Sequence, residues 1–275
     1  MAEPVTTFVP GHVTGFFSAC RRDDPTRSGS RGAGVTLSDG VRVSLAPGTG
    51  TVLNGESIEV EPVERVLEEL DVEGRIEVET TLPLGSGFGI SGAISLGTAL
   101  AANVVFGLEL TENELVAVAH RAEIRSGTGL GDVVAQARGG VPIRIEPGAP
   151  PYGRLDGIPD RQRVEFVTFG ELSTEAVLSG DVDGVTTAGE RALQTLLEEP
   201  TLSTFLRASR RFANESDLLT PRIRDAIDDV RETGGDASMA MLGETVFALG
   251  SGLTDAGYEA TKTEICPTGA HLTAV

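Results

Sequence analysis

Between Pro83 and Ala93 the chain runs P-L-G-S-G-F-G-I-S-G-A, three glycines at alternate positions leading into a segment rich in Ala and Leu. Gly85, Gly87 and Gly89 allow backbone angles closed to other residues, so their N–H groups can converge on one point. A helix beginning near Ser91 adds its free N-terminal N–H groups and the positive end of its dipole. The whole run, with Leu84, Ser86, Phe88, Ile90 and Gly92, is therefore expected to cradle a phosphate chain. It matches neither common nucleotide motif. Ala93 stands where a Walker A lysine belongs, and Ile90 replaces the third glycine of a dinucleotide fingerprint. A loop without its own lysine needs a metal ion or distant arginines to balance the phosphates.

Charge sharpens that requirement. The formal net charge is −19, from 41 acidic and 22 basic residues, and Lys262 is the only lysine. Such a surface repels nucleic acid and anionic membranes. The exchange of lysine for arginine beside abundant carboxylates resembles the proteins of salt-loving archaea, where a Debye length of about 3 Å at 1 M salt screens self-repulsion. An anionic substrate can bind only where arginines, helix N-termini or a cation overcome the field. Aromatic residues make up 4 % and Trp is absent, so the core must be built from Val, Leu, Ile and Ala. No apolar stretch approaches the roughly 20 residues of a membrane span, and M-A-E-P-V-T-T lacks the features of a signal peptide, which gives a cytoplasmic expectation. Two cysteines and three scattered histidines exclude a disulfide scaffold and a structural zinc.

Along the chain, short β-like runs at Val5–Val9, Gly34–Leu37, Val41–Leu45 and Ser57–Val60 are broken by Gly, Pro, Asp and Asn. A helix is expected over Pro62–Leu70, a strand over Gly74–Thr80 and a helix over Ser91–Val105. Thr111 with Glu114 forms a capping box that opens a helix to about Ile124, with Glu123 on the flank of its apolar face. A second glycine-rich loop, Ser126–Asp132, leads to a strand at Gly139–Ile145. Glu146–Gly153 has the composition of a linker between two lobes. Beyond it come a strand at Val164–Phe169, helices near Thr174–Leu197 and Leu202–Phe212, and a helix from Pro221 capped by Thr220. Short strands around Ser238–Leu249 and Tyr258–Ile265 complete a second α/β layer.

The second loop supplies acid and base. Glu123 and Asp132 give one carboxylate for a metal and one for a proton, the pair that phosphoryl transfer to a hydroxyl requires. Ser91 admits three roles: helix cap, metal ligand or nucleophile. G-I-S-G-A nearly matches a nucleophile elbow, and the order Ser91, Asp132, His271 permits a hydrolase triad. The wide loop before Ser91 gives it no strained exposure, which disfavours the triad.

Pro83, Gly85, Gly87, Ser91, Gly92 and Ala93 fit the P-x-G-x-G-x-x-x-S-[GSA]-A loop of the GHMP kinases, which the chain resembles. Within that superfamily F-V-P-G-H-V-T-G-F-F (Phe8–Phe17), G-S-R-G-A-G-V (Gly29–Val35), S-G-T-G-L-G-D-V-V-A-Q (Ser126–Gln136) and S-M-A-M-L-G-E-T-V-F-A (Ser238–Ala248) are similar to the archaeal pantoate kinases. The resemblance implies a two-lobed α+β fold, an ATP-binding lobe over 1–150 and a ferredoxin-like lobe over 151–275. It implies ATP-dependent phosphorylation of pantoate, with shikimate, homoserine or mevalonate as alternative acceptors and a nucleotide-binding module without turnover as a further reading. Carried over by position, Asp132 is the catalytic aspartate, and Ser91 and Glu123 hold Mg²⁺ with the ATP phosphates. Glu123 lies closer to Asp132 than the superfamily's usual spacing. Gly243 alone marks the third, normally glycine-rich motif. On the acceptor side stand His12, Ser30 and Arg31. Arg31 is the choice for the substrate carboxylate, with a surface ion pair as its alternative and Arg125 next in line. His12 either bonds a substrate hydroxyl or is a satisfied buried residue. The oligomeric state is left open, a homodimer among the options.

Overall fold

The computed structural model describes residues 4–170 and 182–273. Two hairpin-forming strands, β1 (Val5–Cys20) and β2 (Gly29–Pro47), pair antiparallel along their full lengths and form the spine of the first sheet. Where the sequence suggests short broken strands, the register slips at Pro10/Gly11 and Thr14/Phe16 and pairing continues. The breakers sit at bulges rather than turns, so P-G-H-V-T-G is a kinked central strand. Around this spine lie β3 (Thr51–Leu53), β4 (Glu56–Ile58), α1 (Glu61–Glu69) and β5 (Gly74–Thr80), giving the order β12-β1-β2-β5-β3-β4. The last-formed strand of this sheet, β12 (His271–Leu272), returns from the far end of the chain.

Helix α2 (Ile90–Phe106) is apolar almost all round, and it is buried between the first sheet and α3 (Glu112–Ser126). The Thr111/Glu114 capping box forms as expected. Glu123, however, is not on a flank but buried within the bundle. A short helix absent from the sequence reading, α4 (Asp132–Arg138), follows the second glycine loop. Its seven residues are too few for a periodic pattern, and its N-cap Gly131 supplies no side-chain signal.

Glu146–Gly153 is not a connection between lobes. It turns the chain from β6 (Val141–Glu146) into β7 (Arg154–Ile158), which pair antiparallel in the first sheet. The chain passes to the second sheet over residues 159–162. That sheet has the order β11-β8-β10-β9, from β8 (Arg163–Gly170), β9 (Ala237–Ala240), β10 (Glu244–Leu249) and β11 (Thr261–Glu264). It is accompanied by α5 (Val182–Glu198), α6 (Leu202–Glu215), α7 (Pro221–Glu232) and α8 (Gly252–Asp255). Thr220 caps α7 as anticipated, accepting from the Ile223 N–H. The expected helix near Thr174–Leu197 matches α5 in its second half, and its beginning lies outside the described residues. No helix among the described residues is long and apolar enough to cross a membrane.

The two sheets meet at the glycine loop. Leu37 bridges Ile265, and the Phe88 ring packs 4.7 Å from that of Phe166. Thr245 Oγ1 donates to the Ser86 carbonyl at 2.9 Å, and the turn between β9 and β10 lies directly on the loop. A Cβ on Gly243 would overlap the Ser86 carbonyl oxygen, which is why this position stays glycine in an otherwise altered motif. Gly243→Ala should therefore push the turn off the loop. Overpacking of this kind typically costs about 1–3 kcal/mol. Calorimetric melting together with nucleotide titration should show a lowered Tm and weaker nucleotide binding in one variant.

Candidate active site

Gly85, Gly87 and Gly89 all take left-handed backbone angles, with φ of 66°, 88° and 63°. Gly89 is the N-cap of α2, and no side chain caps that terminus. The Phe88 carbonyl accepts from the His12 N–H at 2.9 Å, and the Gly89 carbonyl accepts from Gln136 Nε2 at 2.9 Å. These bonds commit the Phe88 and Gly89 carbonyls to the protein. A cavity of about 430 Å³ opens over it, bordered by Leu84, Gly85 and Gly87 through Gly92. Leu53, Ile58 and Val60 form an apolar wall, and Ser91, Glu123, Thr128 and Asp132 form the polar floor. Two expected loop residues do not border it. Ser86 is buried and turns its hydroxyl to the Leu84 carbonyl, and Pro83 faces another groove.

Ser91 is not a helix cap. Its Oγ donates to Glu123 Oε1 at 2.7 Å, where Ser95 Oγ also donates at 2.8 Å, while Thr128 Oγ1 donates to Oε2 at 2.8 Å. Burial pushes the Glu123 carboxyl above its ordinary range. The three hydroxyls oppose that rise, and the Asp132 charge adds to it. Glu123, Ser91 and Thr128 together are hard oxygen donors at the edge of the cavity, the chemistry that suits Mg²⁺. Among the described residues no group of three His, Cys, Asp or Glu side chains converges. His271 is exposed and bonded to the Gly269 carbonyl, and Asp132 pairs with His12, so Ser91, Asp132 and His271 do not form a triad.

Asp132 opens α4 with a side chain 23 % exposed, and its Oδ1 lies 2.7 Å from His12 Nδ1. Burial pushes the His12 pKa down, against the hydrogen bond and charge of Asp132. A neutral ring facing a carboxylate carries its proton on Nδ1 and donates it to Asp132. His12 Nε2 is buried and without a partner among the described residues, hard against Gly34. His12 is thus fully enclosed, and it borders neither the cavity nor the recess beside it. Burial would raise the Asp132 pKa, but the hydrogen bond from His12 and the nearby Arg144 charge outweigh it and hold the carboxyl below its usual value.

Arg144 is the residue that sequence reasoning missed. It is 2 % exposed, and its Nε and Nη1 have no hydrogen-bond partner among the described residues. With Thr14, Phe17, Ser30, Gly131 and Asp132 it lines a recess beside the nucleotide cavity. In P-I-R-I the alternation puts Arg144 opposite Ile143 and Ile145, a phase that by itself suggests a solvent face. Ser30 reaches the recess as expected. Arg31, its neighbour on the same strand, points to the opposite face and pairs with Glu146 at 3.4 Å and Glu190 at 3.9 Å. Arg125 is held by Glu69 at 2.9 Å. Neither borders the recess.

Residues 60–140, which carry the glycine loop, Ser91, Glu123 and Asp132, match the model of the GHMP kinases N terminal domain. A pantoate kinase of Methanocaldococcus jannaschii is 36 % identical over 88 % of this chain and 91 % of its own. The chain belongs to the pantoate kinase family of GHMP kinases. Its relative from Thermococcus kodakarensis, also a pantoate kinase, is 37 % identical over 89 % of this chain and 87 % of that one. A solved phosphotransferase related to the CoA biosynthesis pathway superposes with a TM-score of 0.86 at 31 % identity, covering 98 % of each chain. The protein is an ATP-dependent small-molecule kinase with the two-lobed α+β GHMP fold.

Two outcomes follow for the carboxylates. Glu123→Gln keeps the acceptor for Ser91 and Ser95 but removes the buried charge. The raised pKa means that ionised Glu123 destabilises the fold, a penalty absent below its ordinary pKa of 4.5 and growing as pH rises through the elevated native value. The variant should melt higher than wild type at pH 7, with the gain gone near pH 4. Its Mg²⁺-dependent turnover should fall on the order of 10²-fold. For His12→Leu the sign is opposite. Without its hydrogen bond, burial acts on Asp132 with less to oppose it than the Arg144 charge and His12 together supply, so the acid limb of the kcat/KM profile should move to higher pH.

Proposed function

We propose that this kinase transfers the γ-phosphoryl group of ATP to the primary hydroxyl of (R)-pantoate, giving (R)-4-phosphopantoate on the archaeal route to coenzyme A. The observation that carries this reading is Arg144, a buried guanidinium with two uncommitted N–H donors in the same recess as Asp132. A carboxylate and a hydroxyl at opposite ends of one small molecule would satisfy both groups. The donor geometry suits bidentate capture of a carboxylate. Arg144 also answers how a chain of net charge −19 holds an anion, since the positive charge is confined to one enclosed site.

The ATP phosphates would lie over the glycine loop, with the γ-phosphoryl group at the uncapped start of α2 and the base against Leu53, Ile58 and Val60. Mg²⁺, held by Glu123 and Ser91, would supply neutralisation of the phosphate charge. Asp132 orients the attacking hydroxyl and receives its proton. Its depressed pKa keeps it ionised and ready as an acceptor, and in a loose transition state proton transfer comes late, so a weak base suffices. His12 fixes the carboxylate in place. A lobe division at residues 159–162, rather than near 150, is supported by the pairing of β6 with β7. The near absence of lysine beside abundant carboxylates supports an enzyme of a salt-adapted archaeon.

The test is acceptor kinetics in concentrated KCl with pantoate, shikimate, homoserine and mevalonate. Arg144→Gln should lower kcat/KM for pantoate by about 10- to 100-fold, the worth of a charge-assisted hydrogen bond. It should leave the slow reaction of 2,2-dimethyl-1,3-propanediol, which has no carboxylate, unchanged. Arg31→Ala should leave pantoate kinetics near wild type. Equal effects of Arg144→Gln on both acceptors would remove Arg144 from carboxylate recognition.

A further inference from the structure

Leu242 occupies the seam between the nucleotide cavity and the acceptor recess, bordering both together with Thr14 and Asp132. It is the apolar member of that trio. Its φ is 66°, a left-handed conformation that favours glycine or asparagine and disfavours a branched side chain. The turn that carries it is clamped on both sides. The Met241 N–H donates to the Thr14 carbonyl at 2.9 Å, and a Cβ on Gly87 would lie 2.9 Å from the Met241 carbonyl oxygen. Gly243 rests on the Ser86 carbonyl. A glycine at 242 would adopt this turn without strain, so the leucine is retained for what its side chain does at the seam.

From this placement we infer that Leu242 selects acceptors with a branched apolar centre and seals the transferring phosphoryl group from water; the inference rests on the pantoate kinase reading above. The recess is charged or polar at Arg144, Ser30 and Asp132, but Phe17, Leu130 and Leu242 make the wall between them apolar. An acceptor held by its carboxylate at Arg144 and its hydroxyl at Asp132 sets its middle carbon against that wall. In pantoate this carbon bears two methyl groups, which would lie against Leu242 where the recess, of about 30 Å³, meets the cavity of about 430 Å³. In the productive step the acceptor oxygen bonds to the γ-phosphorus, and the bond to the bridging oxygen breaks with its electron pair leaving on ADP. The acceptor's proton passes to Asp132. If the seam is open, a water oxygen makes the same bond, its proton passes to Asp132, and inorganic phosphate forms instead of product.

The experiment uses the full chain and the variants Leu242→Gly and Leu242→Met, with ADP and phosphorylated acceptor quantified separately. Acceptors are pantoate and 2,4-dihydroxybutyrate, which differ by the two methyl groups. Leu242→Gly should lose about 10-fold or more of the preference for pantoate, the scale set by apolar contacts in a pocket. It should also release more ADP than it forms product, while keeping its Tm because the backbone strain is relieved. Leu242→Met should stay coupled one to one. Should the glycine variant fold poorly, Leu242→Asn tests the same loss in a residue that tolerates the left-handed angle. Wild-type selectivity together with one-to-one coupling in the folded variant would overturn the inference. Wild type inactive on pantoate but active on another acceptor would overturn the parent reading instead, and the ADP excess measured with that acceptor would still decide the role of Leu242.

Discussion

The first turn of α2 has no side-chain cap, and most of the surrounding structure exists to keep it that way. A helix start normally consumes its free N–H groups on a serine, threonine or aspartate. Here Gly89 occupies the N-cap in a left-handed conformation, and Ser91, which could have bent back as a partner, gives its hydroxyl to Glu123. The carbonyls on the loop side are drawn off by His12 and Gln136. The donors are thereby left for a ligand. His12 and Gln136 belong to β1 and α4, so the loop is held by the same two elements that hold Asp132.

Electrostatics divides the site into unlike halves. Glu123 is buried among hydroxyls with a raised pKa. Asp132 sits between His12 and Arg144 with a lowered pKa, a carboxylate already compensated. Two acids nine positions apart in the chain thus acquire separate duties from their surroundings. The acidic exterior is no obstacle, because what decides anion binding is the local field of one guanidinium and one helix terminus in an enclosed space.

What could be read from sequence was what depends on local backbone chemistry. The glycine loop, the Thr111 box and the Thr220 cap each state their geometry within four to eleven residues, and each formed as the residues implied. Ser91, Glu123 and Asp132 could be singled out because they lie within or next to those elements. Arg144 was not, because its burial depends on α4 and on the recess beside Ser30, both assembled from distant segments. Arg31 looked suitable from its glycine-rich neighbourhood, yet a strand alternates its faces, and pairing with β1 decided that Ser30 rather than Arg31 faces inward. The lobe connection was misplaced for a related reason: Pro and Gly mark a turn but cannot say whether the next strand rejoins the same sheet.

The chain's return to its starting sheet has a consequence for how the protein is made. Residues 265–273 run back beneath α4: Cys266 exchanges hydrogen bonds with Thr36, the Ala270 N–H donates to the Gln136 carbonyl, and β12 pairs with β1. Helix α4, bearing Asp132, therefore lacks its backing until residues 265–273 have been synthesised and have folded back onto the first sheet. The glycine loop can be shaped from nearby segments, but Asp132 and its helix gain their backing only when residues 265–273 arrive, so the two sides of the site form at different stages of synthesis.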